Sequence, residues 1–149
     1  MKNNYVVNEN TLAMISIGNK TKIIENNKEF VIYKSINRII SDACKNDGLT
    51  YLYNLKRSSM LTGYTYKTPI ILKNELVFFP TTSPRIKSCK WINFNNINKW
   101  FFDEESNSTK IIFNNGYELD LLESFNVINN QILKSNNLIY KFKKIVLNG

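Results

Sequence analysis

The sequence lacks histidine altogether and contains only two cysteines, Cys44 and Cys89. Histidine is the commonest general base and metal ligand in proteins, and it activates serine and cysteine nucleophiles. Two cysteines without histidine do not complete a structural zinc site. We therefore expect a protein that is not an enzyme and holds no metal or cofactor, with both thiols reduced and packed as small apolar side chains.

Long apolar runs and glycine-rich stretches are also missing. No segment approaches the roughly 18 consecutive apolar residues of a membrane-spanning helix, and residues 1–5 lack the apolar core of a secretion signal. The five glycines form no phosphate-binding loop. Because 43% of the 149 residues are hydrophobic, the chain can bury one core. We expect a single domain over residues 1–149, located in the cytoplasm.

Turn and cap residues predict the secondary structure. Asn114-Asn115-Gly116 and Asn26-Asn27 separate alternating apolar segments and so predict β-hairpins. Ser35 and Ser124 precede apolar residues at helical spacing, which predicts helices at about 35–46 and 124–138. Together these patterns predict an α+β fold, mainly antiparallel β-hairpins that form a sheet or a partial barrel, with two helices.

Other segments give weaker patterns. Residues 49–67 are ambiguous: Tyr51, Tyr53 and Leu55 alternate as in a strand, and a basic polar loop follows at residues 56–59. Residues 97–101 fit either a helical turn or an edge strand. Residues 141–149 fit either a strand or a loose tail.

Negative charge is scarce: 20 Lys and Arg stand against 12 Asp and Glu, a net charge of +8. Residues 48–102 contain eight basic residues and one acid, Glu75, and residues 76–102 contain no acid. The polar stretches there combine cations with serine and threonine hydroxyls, the groups that usually contact phosphates. This charge favours nucleic acid as the partner over an anionic membrane surface, although a solvated loop surface has the same composition.

Aromatic residues offer an alternative. Tyrosines and tryptophans can stack unpaired bases, as in proteins that bind single strands without sequence preference. Aromatic residues at strand spacing more often fill a core, and we favour core positions for Trp91 and the tyrosines. The residues concerned are Tyr51, Tyr53, Tyr64, Tyr66, Trp91, Phe94 and Trp100. A non-specific single-stranded nucleic-acid-binding module therefore stays open.

A series of short motifs follows one another along the chain. They are Lys67-Thr68-Pro69-Ile70-Ile71, Phe79-Pro80-Thr81, Cys89-Lys90-Trp91-Ile92, Ile112-Phe113-Asn114-Asn115-Gly116 and Ser124-Phe125-Asn126 as far as Gln131. Upstream, Cys44 and Gly48 have a C-x-x-x-G spacing. This series resembles the ComK family, the competence transcription factors of Gram-positive bacteria, over nearly the whole chain and best over residues 67–131, and Lys56-Arg57 lies near the family's Gly-Arg-Lys loop.

The resemblance implies an activator of DNA-uptake genes that acts at the nucleoid, without a membrane partner. It would bind double-stranded A/T-rich promoter DNA, recognising paired A-rich and T-rich boxes through the minor groove, as a homodimer or a dimer of dimers. The narrow minor groove of A·T tracts attracts cations. From charge and loop context we expect Arg85 or Arg57 to enter the groove. The lysines expected on phosphates are Lys56, Lys67, Lys87, Lys90 and Lys99.

Two departures from the family pattern leave alternatives open. Longer members carry a C-terminal extension that a protease adaptor recognises, and only residues 141–149 follow the last predicted helix here. Residues 48–63 differ in length and contain more tyrosine. One alternative is a divergent or shortened paralogue with altered specificity, or a shortened, non-activating paralogue that modulates a longer partner through mixed dimers. Alternatively, the chain binds an acidic protein through residues 48–102.

Overall fold

The computed structural model describes residues 3–148, with side chains up to residue 147. Within this range every pair of hydrogen-bonded strands is antiparallel. The strands in this range are β1 Thr11–Ile17, β2 Lys20–Glu25, β3 Glu29–Ile32, β4 Ile70–Leu72, β5 Leu76–Pro80, β6 Lys90–Asn93, β7 Ile97–Asp103, β8 Ser108–Phe113 and β9 Glu118–Leu121. The α-helices are α1 Ile36–Asn46, α2 Tyr51–Thr62 and α3 Phe125–Asn148, and 3-10 turns lie at Lys73–Glu75 and Phe94–Asn96.

The strands form two sheets. The larger has the order β3-β2-β1-β6-β5-β4, and the smaller has the order β7-β8-β9. In the larger sheet, Met14 of β1 stands opposite Ile23 of β2 on one side and Trp91 of β6 on the other. The predicted α+β fold with mainly antiparallel hairpins is confirmed. The predicted partial barrel is wrong, because the strands divide between two sheets.

A polar turn separates the two sheets. The buried Asn93 donates from Nδ2 to the Thr11 carbonyl (2.8 Å), and its Oδ1 accepts from the Asn95 N–H (2.9 Å). Asn95 accepts in turn from the Val77 N–H at its Oδ1 (2.9 Å). These side-chain hydrogen bonds support the turn Phe94–Asn96 after β6. The chain therefore leaves the larger sheet after β6, and β7 begins the smaller sheet.

The larger sheet lies between two layers. Phe78 and Trp91 share a buried cluster with α1 and α2. Their chain neighbours Phe79 and Ile92 share a second cluster with β8, β9 and α3. Successive side chains of a strand point to opposite faces, so α1 and α2 cover one face while the smaller sheet and α3 cover the other.

Helix α2 occupies residues 51–62, so the strand and basic loop predicted there are wrong. Thr50 caps the helix, since its Oγ1 accepts from the Tyr53 N–H (3.2 Å). Asn54, on the buried side, donates to the Ile71 carbonyl (3.0 Å) and accepts from the Ile71 N–H (3.3 Å). Because the two fully buried residues of α2, Asn54 and Ser58, are polar, apolar periodicity did not indicate a helix.

The C-terminal helix is also longer than predicted. Helix α3 continues to Asn148, which replaces the predicted end near residue 138 and the strand or tail expected afterwards; residue 149 lies outside the described residues. Its apolar stripe continues past Leu138 through Ile139 and Phe142, which pack in a further cluster with β4 and β5. The described residues thus contain three α-helices instead of the predicted two.

Elements with strong local signals are confirmed. Ser35 caps α1 by accepting from the Arg38 N–H (3.3 Å). Strands β8 and β9 form the hairpin predicted around Asn114-Asn115-Gly116, and Gly116 takes the positive φ of 92° that the turn requires.

Of the two structures that fit residues 97–101, the edge strand is the one formed, as part of β7. No helix within residues 3–148 combines the length and apolar character needed to cross a bilayer.

Candidate nucleic-acid interface

Two successive turns shape the loop between β5 and β6, which we call the 81–89 loop. The Ile86 N–H donates to the Ser83 carbonyl (2.9 Å), and the Cys89 N–H donates to the Ile86 carbonyl (3.0 Å). The Arg85 N–H donates to Ser83 Oγ (3.4 Å). Three backbone N–H groups of the loop therefore have acceptors within it, which limits the conformations it can adopt.

The base of the 81–89 loop is fixed to its surroundings. The Thr81 N–H donates to the Lys90 carbonyl (2.9 Å), and the Lys90 N–H donates back to Thr81 Oγ1 (3.0 Å). Asn37 of α1 donates from Nδ2 to the Pro84 carbonyl (3.4 Å). The larger sheet and the helix layer thus both hold the loop.

Three consecutive residues of this loop, Arg85, Ile86 and Lys87, are exposed. Ile86 keeps 50% of its surface in solvent although it is a large aliphatic residue. Neither cation pairs with a carboxylate within residues 3–148. The tip therefore presents an aliphatic side chain between two uncompensated cations, which suits an anionic groove with an apolar floor.

Lys67 and Arg85 share a cleft of about 670 Å³. Lys67 has a positive φ of 47°, and its carbonyl accepts from Gln131 Nε2 (2.9 Å). Its Nζ lies 5.4 Å from the centroid of the Tyr66 ring. Two predicted site residues that are distant in sequence therefore line one opening.

Arg57 faces the interior. Its Nη2 donates to the Ile71 carbonyl (2.8 Å), and the guanidinium carbon lies 5.5 Å from the centroid of the Phe142 ring. Burial lowers the pKa of this guanidinium below its usual value. The side chain joins α2 to β4 and α3, so among the two arginines predicted to enter a groove only Arg85 is presented to solvent.

The remaining predicted lysines differ in their surroundings. Lys90 Nζ lies 3.9 Å from Glu123 Oε1, and the side chains of the pair are only 16% and 12% exposed. Lys56 is exposed on α2, where its Nζ lies 5.4 Å from the centroid of the Tyr53 ring. Lys99 is exposed on β7 of the smaller sheet. The structure thus neutralises Lys90 and leaves Lys56 and Lys99 accessible.

Lys134 also lies at this interface, although charge counting did not predict it because its segment has a nearly neutral composition. Its Nζ donates to the Tyr66 carbonyl (2.8 Å), one residue before the carbonyl that Gln131 holds. Burial, followed by the nearby charge of Lys67, lowers the pKa of the Lys134 ammonium. The three-residue spacing of Gln131 and Lys134 on a helix was the available signal, because it places both side chains on one face.

The aromatic residues divide between core and surface. Trp91 is 1% exposed, which confirms its predicted core position, and Tyr51 contacts it edge-on with centroids 6.3 Å apart. Tyr53 and Tyr66 are 58% and 63% exposed, so the core position is wrong for these two. Trp100 is tied to α3 by a hydrogen bond from its Nε1 to Asn129 Oδ1 (2.9 Å).

Comparisons with known proteins bear on this interface. The model of the family described as ComK protein matches residues 2–146. A protein named "Competence transcription factor" from Bacillus subtilis (strain 168) is 30% identical over 145 residues, which cover 93% of this chain and 75% of that protein. No solved structure matches the chain at a significant level.

Proposed function

The chain belongs to the ComK family, and from this premise we propose that it regulates the transcription of competence genes by binding double-stranded DNA. The name of its Bacillus subtilis relative, the net charge of +8 and the exposed cations of the 81–89 loop support the proposal. Families of transcription factors are not normally enzymes, in agreement with a chain that has no histidine. Such a regulator works in the cytoplasm, at the nucleoid.

We further propose that the protein is an activator that recognises paired A-rich and T-rich boxes through the minor groove. The observation that carries this is the braced tip Arg85-Ile86-Lys87. A·T tracts have a narrow minor groove with an enhanced negative potential, which favours an inserted arginine. Minor-groove proteins also insert aliphatic wedges between base steps, and Ile86 is placed to serve as one.

The phosphate contacts in this proposal come from the cations that the fold leaves free. Lys87 lies beside the inserted residues, and Lys67 shares a cleft with Arg85. Lys56 on α2 and Lys99 on β7 are also exposed, and we propose them as further phosphate contacts. We assign the remaining two predicted contacts, Arg57 and Lys90, to holding the fold, since their cations are already partnered.

Paired boxes call for paired proteins, because a two-fold assembly presents the same tip to each half of a site. We therefore propose a homodimer or a dimer of dimers on promoter DNA. A protease adaptor as further partner stays a prediction of the family resemblance.

A specific observation favours a second candidate, non-specific binding of single strands. The exposed rings of Tyr53 and Tyr66 each have a lysine ammonium within about 5.4 Å of the centroid, and stacking on tyrosine together with a cation is typical of single-strand binding. Competition separates the two functions: an unlabelled single strand displaces a labelled A/T-box duplex only if the second candidate is correct.

The test of the main proposal is binding to a duplex that carries an A-box and a T-box, compared with a G/C-rich duplex of equal length. Arg85→Ala and Ile86→Ala should reduce the preference for the boxes. Lys73→Ala is the matched control, because Lys73 is an exposed lysine of the same basic segment that lies outside the loop. Equal binding of both duplexes by the unaltered protein would contradict recognition of boxes.

A further inference from the structure

The cleft that Arg85 and Lys67 share has the size and lining of a small-molecule site. Its volume of about 670 Å³ falls in the range of ligand pockets. Its apolar lining comes from α1, α2 and β6, namely Ile40, Tyr51, Leu55 and Trp91. Polar groups that can fix an orientation surround it, namely Asn37, Thr65, Thr68 and Ser83.

The charge of the cleft selects an anion. Lys67 and Arg85 are both part of the lining, and no carboxylate belongs to the lining formed by the described residues. A guanidinium forks onto two oxygens of a phosphate, and an ammonium adds a point charge. Two cations within one opening match the two negative charges of a phosphate monoester better than the single charge of a carboxylate.

The walls of the cleft favour a ligand in which the anionic group is attached to a flat, aromatic ring system. Tyr51 and Tyr66 both line it, and Tyr66 is largely exposed. Aromatic side chains of this kind stack on the faces of bases. A ligand whose rim carries hydrogen-bond acceptors suits the amide of Asn37 and the hydroxyls of Thr65, Thr68 and Ser83 in the lining.

The cleft is organised before any ligand arrives. The backbone of its Tyr66-Lys67 wall is held by α3, through Lys134 on one carbonyl and Gln131 on the next. The opposite wall is held to α1 through Asn37 and the Pro84 carbonyl. A site whose walls are fixed loses less entropy on binding than a mobile loop does.

We propose that this cleft binds a nucleoside monophosphate, with the phosphate between Arg85 and Lys67 and the base against Tyr51 and Tyr66. This ligand site goes beyond the proposed function, although Arg85 and Lys67 take part in both. Because one guanidinium serves two anions, the nucleotide and promoter DNA exclude each other at this residue. A small metabolite bound in the cleft would thereby control DNA binding.

The two tryptophans provide the experiment and its internal control. Adenosine monophosphate is added to the full chain labelled with ¹⁵N, and the two indole N–H signals are followed by NMR, with Trp100→Phe used for assignment. The Trp91 signal should shift to saturation at submillimolar nucleotide. The Trp100 signal should stay in place, because its Nε1 is bound to Asn129 in the smaller-sheet layer.

Matched variants locate the site. Arg85→Ala should weaken nucleotide binding at least tenfold, whereas Lys87→Ala should leave it unchanged, since Lys87 lies on the same loop but not in the lining of the cleft. Adenosine and inorganic phosphate, each alone, should bind more weakly than the joined molecule. Absence of a saturable Trp91 shift at millimolar nucleotide, or equal loss in both variants, would overturn the inference.

Separate DNA measurements keep this inference distinct from the proposed function. If nucleotide binds as expected and the A/T-box duplex does not, the ligand site stands and the proposed function fails. If the duplex binds with box preference and no nucleotide shift occurs, the function stands and the ligand site fails. If both bind, added nucleotide should release the duplex, and undisturbed DNA binding at saturating nucleotide would contradict mutual exclusion.

Discussion

Removing one free cation should lower the salt dependence of DNA binding by a fixed amount. Each phosphate contact contributes about −0.9 to the slope of log K against log salt concentration. Five of the seven predicted cations pair with no carboxylate or carbonyl in the described part of the chain, namely Lys56, Lys67, Arg85, Lys87 and Lys99. With Arg85 in the groove counted as one such contact beside the four lysines on phosphates, they predict a slope of about −4.5, whereas all seven cations would give about −6.3.

The informative comparison is between two lysines that are close in sequence. Lys87→Gln should reduce the slope to about −3.6, because it removes one exposed ammonium. Lys90→Gln should leave the slope near −4.5, because that ammonium already faces Glu123. The measurement is fluorescence anisotropy of a labelled A/T-box duplex between about 50 and 200 mM salt, with circular dichroism to verify that both variants are folded.

The slopes of the two variants test whether Lys87 is free and Lys90 is paired. An equal decrease in slope for both variants would show that Lys90 leaves Glu123 to contact a phosphate, and the assignment of free and paired cations would be wrong. A slope near zero for the unaltered protein would refute the electrostatic argument as a whole, since it would mean that no counterions are released.

Further predictions concern the fold. Asn54→Ala removes both side-chain hydrogen bonds to Ile71 and should lower the free energy of unfolding by about 2–4 kcal/mol in urea titrations. The exposed Lys56→Ala should change it by no more than about 0.5 kcal/mol, and similar losses in the two would argue against a structural role for Asn54. Burial raises the pKa of the Cys44 thiol to about 11. The unfolded chain therefore releases this proton first, and the thiol should contribute a fall of about 2 kcal/mol in the free energy of unfolding between pH 9 and 11, in addition to the contribution of Tyr51, whose pKa burial raises to about 12. Cys44→Ala should flatten that dependence, and an unchanged pH profile in the variant would exclude the thiol as its source. Gly116→Ala forces a β-carbon onto a φ of 92° and should lower the urea midpoint by the equivalent of about 1 kcal/mol or more; an unchanged midpoint would show that the turn relaxes.

Local chemistry in the sequence predicts only some of these elements. The Asn115-Gly116 turn and the Ser35 cap act within a few residues, so the β8–β9 hairpin and α1 were recognisable. Helix α2 was not, because its inward side mixes the polar Asn54 and Ser58 with apolar residues. It turns Asn54 and Ser58 inward and leaves Leu52 and Met60 in solvent. Hydrogen bonds to a distant strand stabilise that arrangement, and they have no signature in the local sequence.

The candidate site shows the same limit. Charge counting predicted the basic segment, but the count gives equal weight to every lysine and arginine. Whether a cation is available depends on partners elsewhere in the chain, such as Glu123 for Lys90 and the Ile71 carbonyl for Arg57. Conversely, Lys134 lies outside the segment and is brought to its edge only by the packing of α3.

The division between free lysines and the braced tip has a consequence for specificity. Lysines on phosphates hold a protein on DNA without distinguishing its sequence. Discrimination of A/T boxes must then come from groups that sense the width and stiffness of the groove, and the 81–89 loop offers Arg85 and Ile86 for this. Because hydrogen bonds fix the loop at Ser83 and at its base, little entropy is lost on insertion. In the proposed function a narrow groove would therefore be favoured over a wide one by the electrostatic field that Arg85 meets, and not by a rearrangement of the protein.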